Sequence, residues 1–278
     1  MISLKRNRKG EKVEASGLRV RSTSMYVPGQ TDLFKISRSK FNDFLSCQRC
    51  FYLDRVKGIV SPSTPGWSLN ETTDVLLKKE FDICRELETP HRIFIEHGLN
   101  DIVPFKHDQM DNWRNSLHGG LQHHVENTNI ILHGGVDDIW YKPSTNELIV
   151  VDYKSQAKND AVVRWKYLSD AYHESYKIQL DVYAYLLSKM GFKVFPTGYF
   201  YVCNADRNAE SFSGQLIFEE TLVPYKCNPY WVEEKILEMY VVLNSFDLPP
   251  TEKSCENCAY STQRALVEHV KNLSLIHI

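Results

Sequence analysis

Val136-Asp137-Asp138-Ile139 and Val150-Val151-Asp152-Tyr153-Lys154 stand on either side of a turn-forming stretch, Lys142-Pro143-Ser144-Thr145-Asn146-Glu147. Each run has the apolar flanks of a buried strand, and the Pro, Ser and Asn between them favour a chain reversal. Folding at Ser144-Thr145 brings Asp137 opposite Asp152. Facing residues of an antiparallel pair have Cβ atoms roughly 4.5–5.5 Å apart, and two carboxylates that close repel unless a cation lies between them. Hard divalent ions such as Mg²⁺ and Mn²⁺ take such oxygens together with water and phosphate oxygens. Side chains alternate along a strand, so Asp152 and Lys154 share a face that Tyr153 does not. By the same alternation Asp138 points away from Asp137 and is the weaker candidate. An Asp-x-Lys triplet alone is common, and the plain alternative is a solvated hairpin. Ile149, Val150 and Val151 argue against it, because they mark a strand buried on both faces, where unpartnered charge is rare.

Asp170 to Met190 reads as a helix, with Ile178, Val182, Tyr185 and Leu186 as its apolar stripe. Gln179 and Tyr183 lie four apart on one face of it. In chain order the motifs are Gly134-Gly135-Val136-Asp137, then Asp152-Tyr153-Lys154, then Gln179 to Tyr183. This order resembles the RecB-type branch of the PD-(D/E)xK nuclease superfamily, whose motifs run G-x-x-D, (D/E)-x-K and Q-x-x-x-Y. The match extends motif by motif from Ser37 to Tyr260. The resemblance implies an α/β, restriction-endonuclease-like mixed sheet flanked by helices. It further implies a Mg²⁺- or Mn²⁺-dependent deoxyribonuclease, an exonuclease by preference, in DNA repair, recombination, phage or CRISPR-related processing. Family members carry a histidine in the helix before the hairpin. Asp74 stands in that place here and is a third candidate metal ligand, with Glu80 as an alternative that also suits a helix surface. His133, beside Gly134, has no evident role.

The chain has seven cysteines, and two Cys-x-x-Cys pairs stand out, Cys47/Cys50 and Cys255/Cys258. Their spacing suits a tetrathiolate site for Zn²⁺ or an iron–sulfur cluster. Ser46-Cys47-Gln48-Arg49-Cys50-Phe51-Tyr52-Leu53 is also similar to the first cluster-ligand segment of RecB-type nucleases, the CRISPR spacer-acquisition nuclease included. There one early and three late cysteines hold a [4Fe–4S] cluster. Here Gln263 and Arg264 follow Cys258 with no further cysteine, so Cys50 has to complete the set, in a two-plus-two arrangement that suits zinc as well. Joining the pairs clips the first helix to the tail and closes a loop of about 200 residues, a large entropic constraint in principle. An odd cysteine count and the lack of an apolar leader disfavour a secreted disulfide framework and point to a reducing, cytoplasmic setting.

The 278 residues are 42% hydrophobic and 24% charged, which fits one soluble α/β domain over residues 31–262. No apolar run approaches the ~20 residues that span a bilayer. The formal net charge of −2 argues against a protein that coats nucleic acid with its whole surface. Residues 1–23 nevertheless carry seven cations against two acids, a local excess of five, and residues 1–30 read as a basic mobile arm. Residues 263–278 form a tail, and Leu273-Ser274-Leu275-Ile276-His277-Ile278 reads as translated sequencing adapter.

Ser37 is a plausible N-cap for one helix carrying Phe41, Phe44, Leu45 and Phe51, with Gly58 near its end. A Pro/Ser/Gly loop, Ser61–Gly66, precedes a helix from Asn70 to Glu86. A third helix is expected over Asp108–Glu126. Strands follow at Gly198–Val202 and Gly214–Phe218, then a last helix over Pro229–Phe246. In the mechanism these motifs imply, Asp137 and Asp152 hold the ion, with the Val151 or Tyr153 carbonyl as a further ligand. Lys154 orients water or offsets charge on the phosphate, and Gln179 and Tyr183 position the backbone and brace the site. DNA is the expected partner, together with a helicase supplied by another chain, since no helicase motif is present. Two other classes fit the same sequence: a catalytically silent DNA-binding or interaction module, and a metal-clipped subunit of a larger assembly.

Overall fold

The computed structural model describes residues 2–64, 66 and 68–274. The last four residues of the expected adapter-derived end, 275–278, lie outside the described residues. Strand β6 (Glu147–Gln156) is the centre of the fold. It pairs antiparallel with β5 (Asp138–Lys142) and parallel with β7 (Thr197–Ala205). β2 (Val103–Pro104) and β8 (Phe218–Lys226) flank them in the order β2-β5-β6-β7-β8. The mixed sheet flanked by helices is therefore present as expected. A second sheet, with the order β1-β4-β3, joins β1 (Phe34–Ser37), β4 (Ile130–Gly134) and β3 (Leu121–His124).

Alternation along β6 sorts its side chains between two apolar layers. Leu148 and Val150 pack with Leu180, Tyr183, Ala184 and Leu187 of α7 (Glu174–Lys189) and with α8 (Val232–Asn244). Ile149, Val151 and Tyr153 pack with Leu77 and Phe81 of α3 (Ser68–Leu87) and with α4 (Arg92–Glu96). Burial on both faces explains the unbroken Leu-Ile-Val-Val run. Between β6 and α7 lies the short helix α6 (Arg164–Ser169).

Four segments depart from the sequence-based expectation. The helix beginning after Ser37 is two helices, α1 (Arg38–Ser46) and α2 (Gln48–Arg55), because Cys47 is extended at φ −158°. Ser37 does cap α1, accepting a hydrogen bond from Lys40 N. The helix expected over Asp108–Glu126 shrinks to α5 (Met110–Arg114) followed by β3. Asn115 turns the chain there by accepting hydrogen bonds from the Leu117 and His118 amides. Gly120, at φ +93°, then packs so tightly on Gly134 that an added Cβ would lie 2.7 Å from its carbonyl oxygen. The strand expected at Gly214–Phe218 begins only at Phe218, since Ser213 and Gly214 form a turn with positive φ. Pro224 sits within β8 without cost because β8 is an edge. The final helix starts as a 3₁₀ turn, Pro229–Trp231, before α8.

The N-terminal segment is tied to the body where it meets α2: Arg19 forms an ion pair with Asp54, and Tyr26 is buried. The tail forms α9 (Glu256–Ser274). Among the described residues no helix is long and apolar enough to cross a membrane.

Candidate active site

The β5–β6 ladder pairs Asp138 with Val151 and Ile139 with Val150. One step further along this register Asp137, just before β5, faces Asp152. The backbone N–H of Tyr153 donates to Asp137 Oδ2 at 2.9 Å and holds that carboxylate against β6. Asp138 is turned to the opposite face, where its carboxylate accepts hydrogen bonds from Arg85, Arg114 and the Tyr153 hydroxyl, the last at 2.8 Å. The alternation expected from the sequence is thus the one seen: Asp137 and Asp152 on one side, Asp138 and Tyr153 on the other.

Asp152 is 0% exposed, and apart from the Lys154 ammonium its carboxylate oxygens meet no donor among the described residues. The Lys154 ammonium lies against Oδ2 as an ion pair and over the Tyr176 ring, 4.7 Å from its centre. Burial pushes the Asp152 carboxyl up to about 7. Lys154 pulls against that rise, and the Asp137 charge adds to it. An uncompensated buried carboxylate is costly to keep, and the donor set around it is oxygen-rich and acidic. Such a set fits a hard divalent ion.

Gln179 and Tyr183 come together on α7. Gln179 Nε2 donates to the Tyr183 hydroxyl at 3.1 Å, and that hydroxyl donates to the Gly135 carbonyl. The pair braces the backbone that leads into Asp137. Gly134 makes this approach possible, since a Cβ there would lie 2.9 Å from Tyr183 Cε1 and 3.1 Å from Arg38 Cβ. Burial raises the Tyr183 hydroxyl pKa. Arg38 acts against the rise, and the charges of Asp137 and Asp152 add to it, so this hydroxyl stays protonated and donates.

Asp74, on α3, forms an ion pair with Lys78 at 2.8 Å. Its carboxyl is pushed up, first by burial and then by the charge of Asp137, so it belongs to the same acidic neighbourhood. Asp74, Asp137 and Asp152 do not close into a set with ligand atoms all within 4.8 Å of one another. Glu80 lies elsewhere, accepting hydrogen bonds from His91 and Arg92. His133, on β4, has a buried Nδ1 without a partner among the described residues.

Three residues near the acids were not legible beforehand. Tyr167 of α6 packs on Phe200 (5.7 Å between rings), and Phe200 is the β7 partner of Asp152. The Tyr167 hydroxyl is buried without a partner among the described residues. His173 packs on Tyr167 at 4.1 Å between rings, and its Nδ1 lies 2.8 Å from the Tyr167 carbonyl. Arg38, the first residue of α1, rests its Cβ on Gly134, and its charge acts on the Tyr183 hydroxyl. Only its place directly after the capping Ser37 could have drawn attention to it.

The four cysteines singled out do converge. Cys50 Sγ lies 3.5 Å from both Cys255 Sγ and Cys258 Sγ, and Cys47 Sγ lies 3.7 Å from Cys258 Sγ. All four sulfurs lie within 4.8 Å of one another, the one group of three or more such ligands found among the described residues. Burial raises Cys47, but backbone N–H groups of Cys50 and Glu252 outweigh it and bring this thiol down to about 7. Burial and the neighbouring sulfurs raise Cys50. The extended break at Cys47 and the start of α9 at Glu256 present the two pairs to each other. Arg49 Nε donates to the Pro249 carbonyl and the Tyr52 hydroxyl to that of Ser245, fixing α2 to the tail.

A search of curated protein sequences gives no match. Among solved structures, one from Eubacterium rectale, described as a candidate exonuclease, is similar at 14% identity and a TM-score of 0.44. The likeness covers 81% of this chain and 87% of that one. The profile of the PD-(D/E)XK nuclease superfamily matches residues 71–263, which takes in the acids, Lys154, the Gln179/Tyr183 pair and the late cysteines. The chain belongs to the PD-(D/E)XK nuclease superfamily.

Proposed function

We propose that the chain is a metal-dependent deoxyribonuclease of the RecB-type branch, acting as an exonuclease in DNA processing. One observation carries this reading: a fully buried Asp152 opposite Asp137 that meets no donor but the paired Lys154 ammonium among the described residues. Asp137 and Asp152 would hold Mg²⁺ or Mn²⁺, with Asp74, whose carboxyl feels the charge of Asp137, as a further candidate ligand. When bound, such an ion polarises a phosphate and lowers the pKa of its water. The protein's own part is positional and electrostatic. Tyr153 N–H fixes the Asp137 carboxylate. Lys154 supplies a positive charge beside Asp152 that can follow the charge developing on the phosphate. Tyr183 and Gln179 hold the Gly135 backbone in place.

For the cysteine centre a single tetrahedral Zn²⁺ is the better-supported occupant. Zn–S bonds of about 2.3 Å set the edges of a tetrahedron at about 3.8 Å, close to the 3.5–3.7 Å separations of three of the sulfur pairs. A [4Fe–4S] cluster puts four irons between its thiolates and asks for a wider set. A reducing, cytoplasmic setting suits free thiolates, and a helicase on another chain would supply DNA ends.

The reading is tested with end-labelled single- and double-stranded DNA in Mg²⁺, Mn²⁺ and EDTA. Cleavage is expected only with a divalent ion. Lys154→Ala should abolish turnover while DNA affinity in Ca²⁺ stays near wild type, because the lost charge acts on the transition state. Undiminished cleavage by Lys154→Ala would refute the assignment, and DNA binding without cleavage in any metal would favour a silent module.

A further inference from the structure

The acids explain how an ion is held but not how a polyanion is brought to them. Most cations near the site already have partners: Lys154 pairs with Asp152, Lys78 with Asp74, and Arg85 and Arg114 with Asp82 and Asp138. Arg38 is the exception. It is half-buried, makes no ion pair or side-chain hydrogen bond among the described residues, and its Nε is fully covered without an acceptor. Its Cβ and the edge of Tyr183 both rest on Gly134, the glycine that opens the Gly134-to-Asp137 motif. The Tyr183 hydroxyl feels the charges of Arg38, Asp137 and Asp152 together. A guanidinium kept partly out of water with no anion is unfavourable unless a ligand supplies one. Its planar fork matches a phosphate in a two-pronged hydrogen-bonded pair.

We propose that Arg38 is a substrate-binding residue of this site, its guanidinium gripping a phosphodiester of the bound DNA strand beside the Asp137/Asp152 pair. This rests on the nuclease reading above. The contact reads the backbone and not the bases, so it contributes affinity without sequence preference. It also gives Gly134 a second role, since a side chain there would displace the arginine as well as Tyr183.

The test uses the full chain and a fluorescent oligonucleotide, with Ca²⁺ in place of the catalytic ion. Arg38→Gln keeps much of the stem and its packing and removes the charge. One phosphate contact fewer should lower the slope of log affinity against log salt by about 0.7 to 0.9 and weaken binding roughly tenfold or more. In Mg²⁺ or Mn²⁺, kcat at saturating DNA should change little while KM rises. Arg38→Lys should restore most of the salt slope and only part of the affinity. Wild-type affinity and salt slope in Arg38→Gln would overturn the inference. So would equal losses in Arg38→Gln and Arg38→Lys together with lower urea stability, which would mark a packing role. Cleavage lost in Lys154→Ala with Arg38→Gln unchanged would overturn this inference alone. A wild-type protein that neither binds nor cuts DNA would overturn it and the nuclease reading together.

Discussion

Replacing Asp152 by Asn should stabilise the metal-free protein while abolishing cleavage. The carboxyl is 0% exposed and meets no donor but the Lys154 ammonium among the described residues, so its charged form is held at a cost. That cost appears as a pKa raised from 3.8 to about 7, net of the help from Lys154. A rise of about three pH units corresponds to roughly 4 kcal/mol at 1.36 kcal/mol per unit. Relaxation and the Lys154 contact that Asn cannot replace reduce the recoverable part to about 1–3 kcal/mol. The sign follows from linkage. A folded pKa above the unfolded one means that the native state binds more protons between about pH 4 and 7. Native stability therefore falls as pH rises through that window and stays low above it. Urea unfolding in EDTA should show Asp152→Asn more stable than wild type at pH 8, with the gap closing toward pH 4. Added Mg²⁺ should stabilise wild type by mass action and leave the variant unmoved. A variant less stable than wild type at pH 8 without metal would refute the reasoning, as would a gap that does not change with pH.

Cleavage by the wild type should need more metal on the acid side, with apparent Mn²⁺ affinity falling as pH drops below about 7, because a proton competes for Asp152; isothermal titration at several pH values reads this. Cys255→Ser should lower stability and loosen α9 from α2 without entering the acid site, seen as protease cleavage near residue 250 and loss of one equivalent of zinc, or of iron and sulfide, by elemental analysis. Gly134→Ala should cost on the order of 1–3 kcal/mol in urea and slow cleavage, since its Cβ would fall 2.9 Å from Tyr183. Arg85→Met should destabilise by on the order of 3 kcal/mol in the same assay, because it removes one of the two guanidinium groups on the fully buried Asp138.

Local pattern told the register of the acid-bearing hairpin correctly because a strand has a strict two-residue period. Once the turn is centred at Ser144-Thr145, the facing pair and the two faces follow, and the ladder has that register. The 3.6-residue period of α7 likewise put Gln179 and Tyr183 on one face. The same rules failed between Asp108 and Glu126. There Asn115 and Gly120 end a helix for reasons of side-chain capping and close contact with Gly134, which no local periodicity records. β1 was missed because a four-residue strand pairs with a partner almost a hundred residues away. The break at Cys47 was missed because its reason lies in the cysteine pair more than 200 residues later.

From the sequence alone came the residue types, their order and their spacing, and these determined a mixed α/β nuclease fold, the acid pair with its lysine, and the two cysteine pairs. Tertiary structure decided what each of these residues meets. It turned Asp138 into a structural acid by surrounding it with Arg85, Arg114 and Tyr153, and it left the chemically identical Asp152 with only Lys154 against it among the described residues. It sent Glu80 to His91 and kept Asp74 beside Asp137. It also set Arg38 next to Tyr183 with no acceptor for its Nε among the described residues. The reason is physical: periodicity is a property of neighbours along the chain, whereas burial, charge and an unmet hydrogen bond belong to neighbours in space.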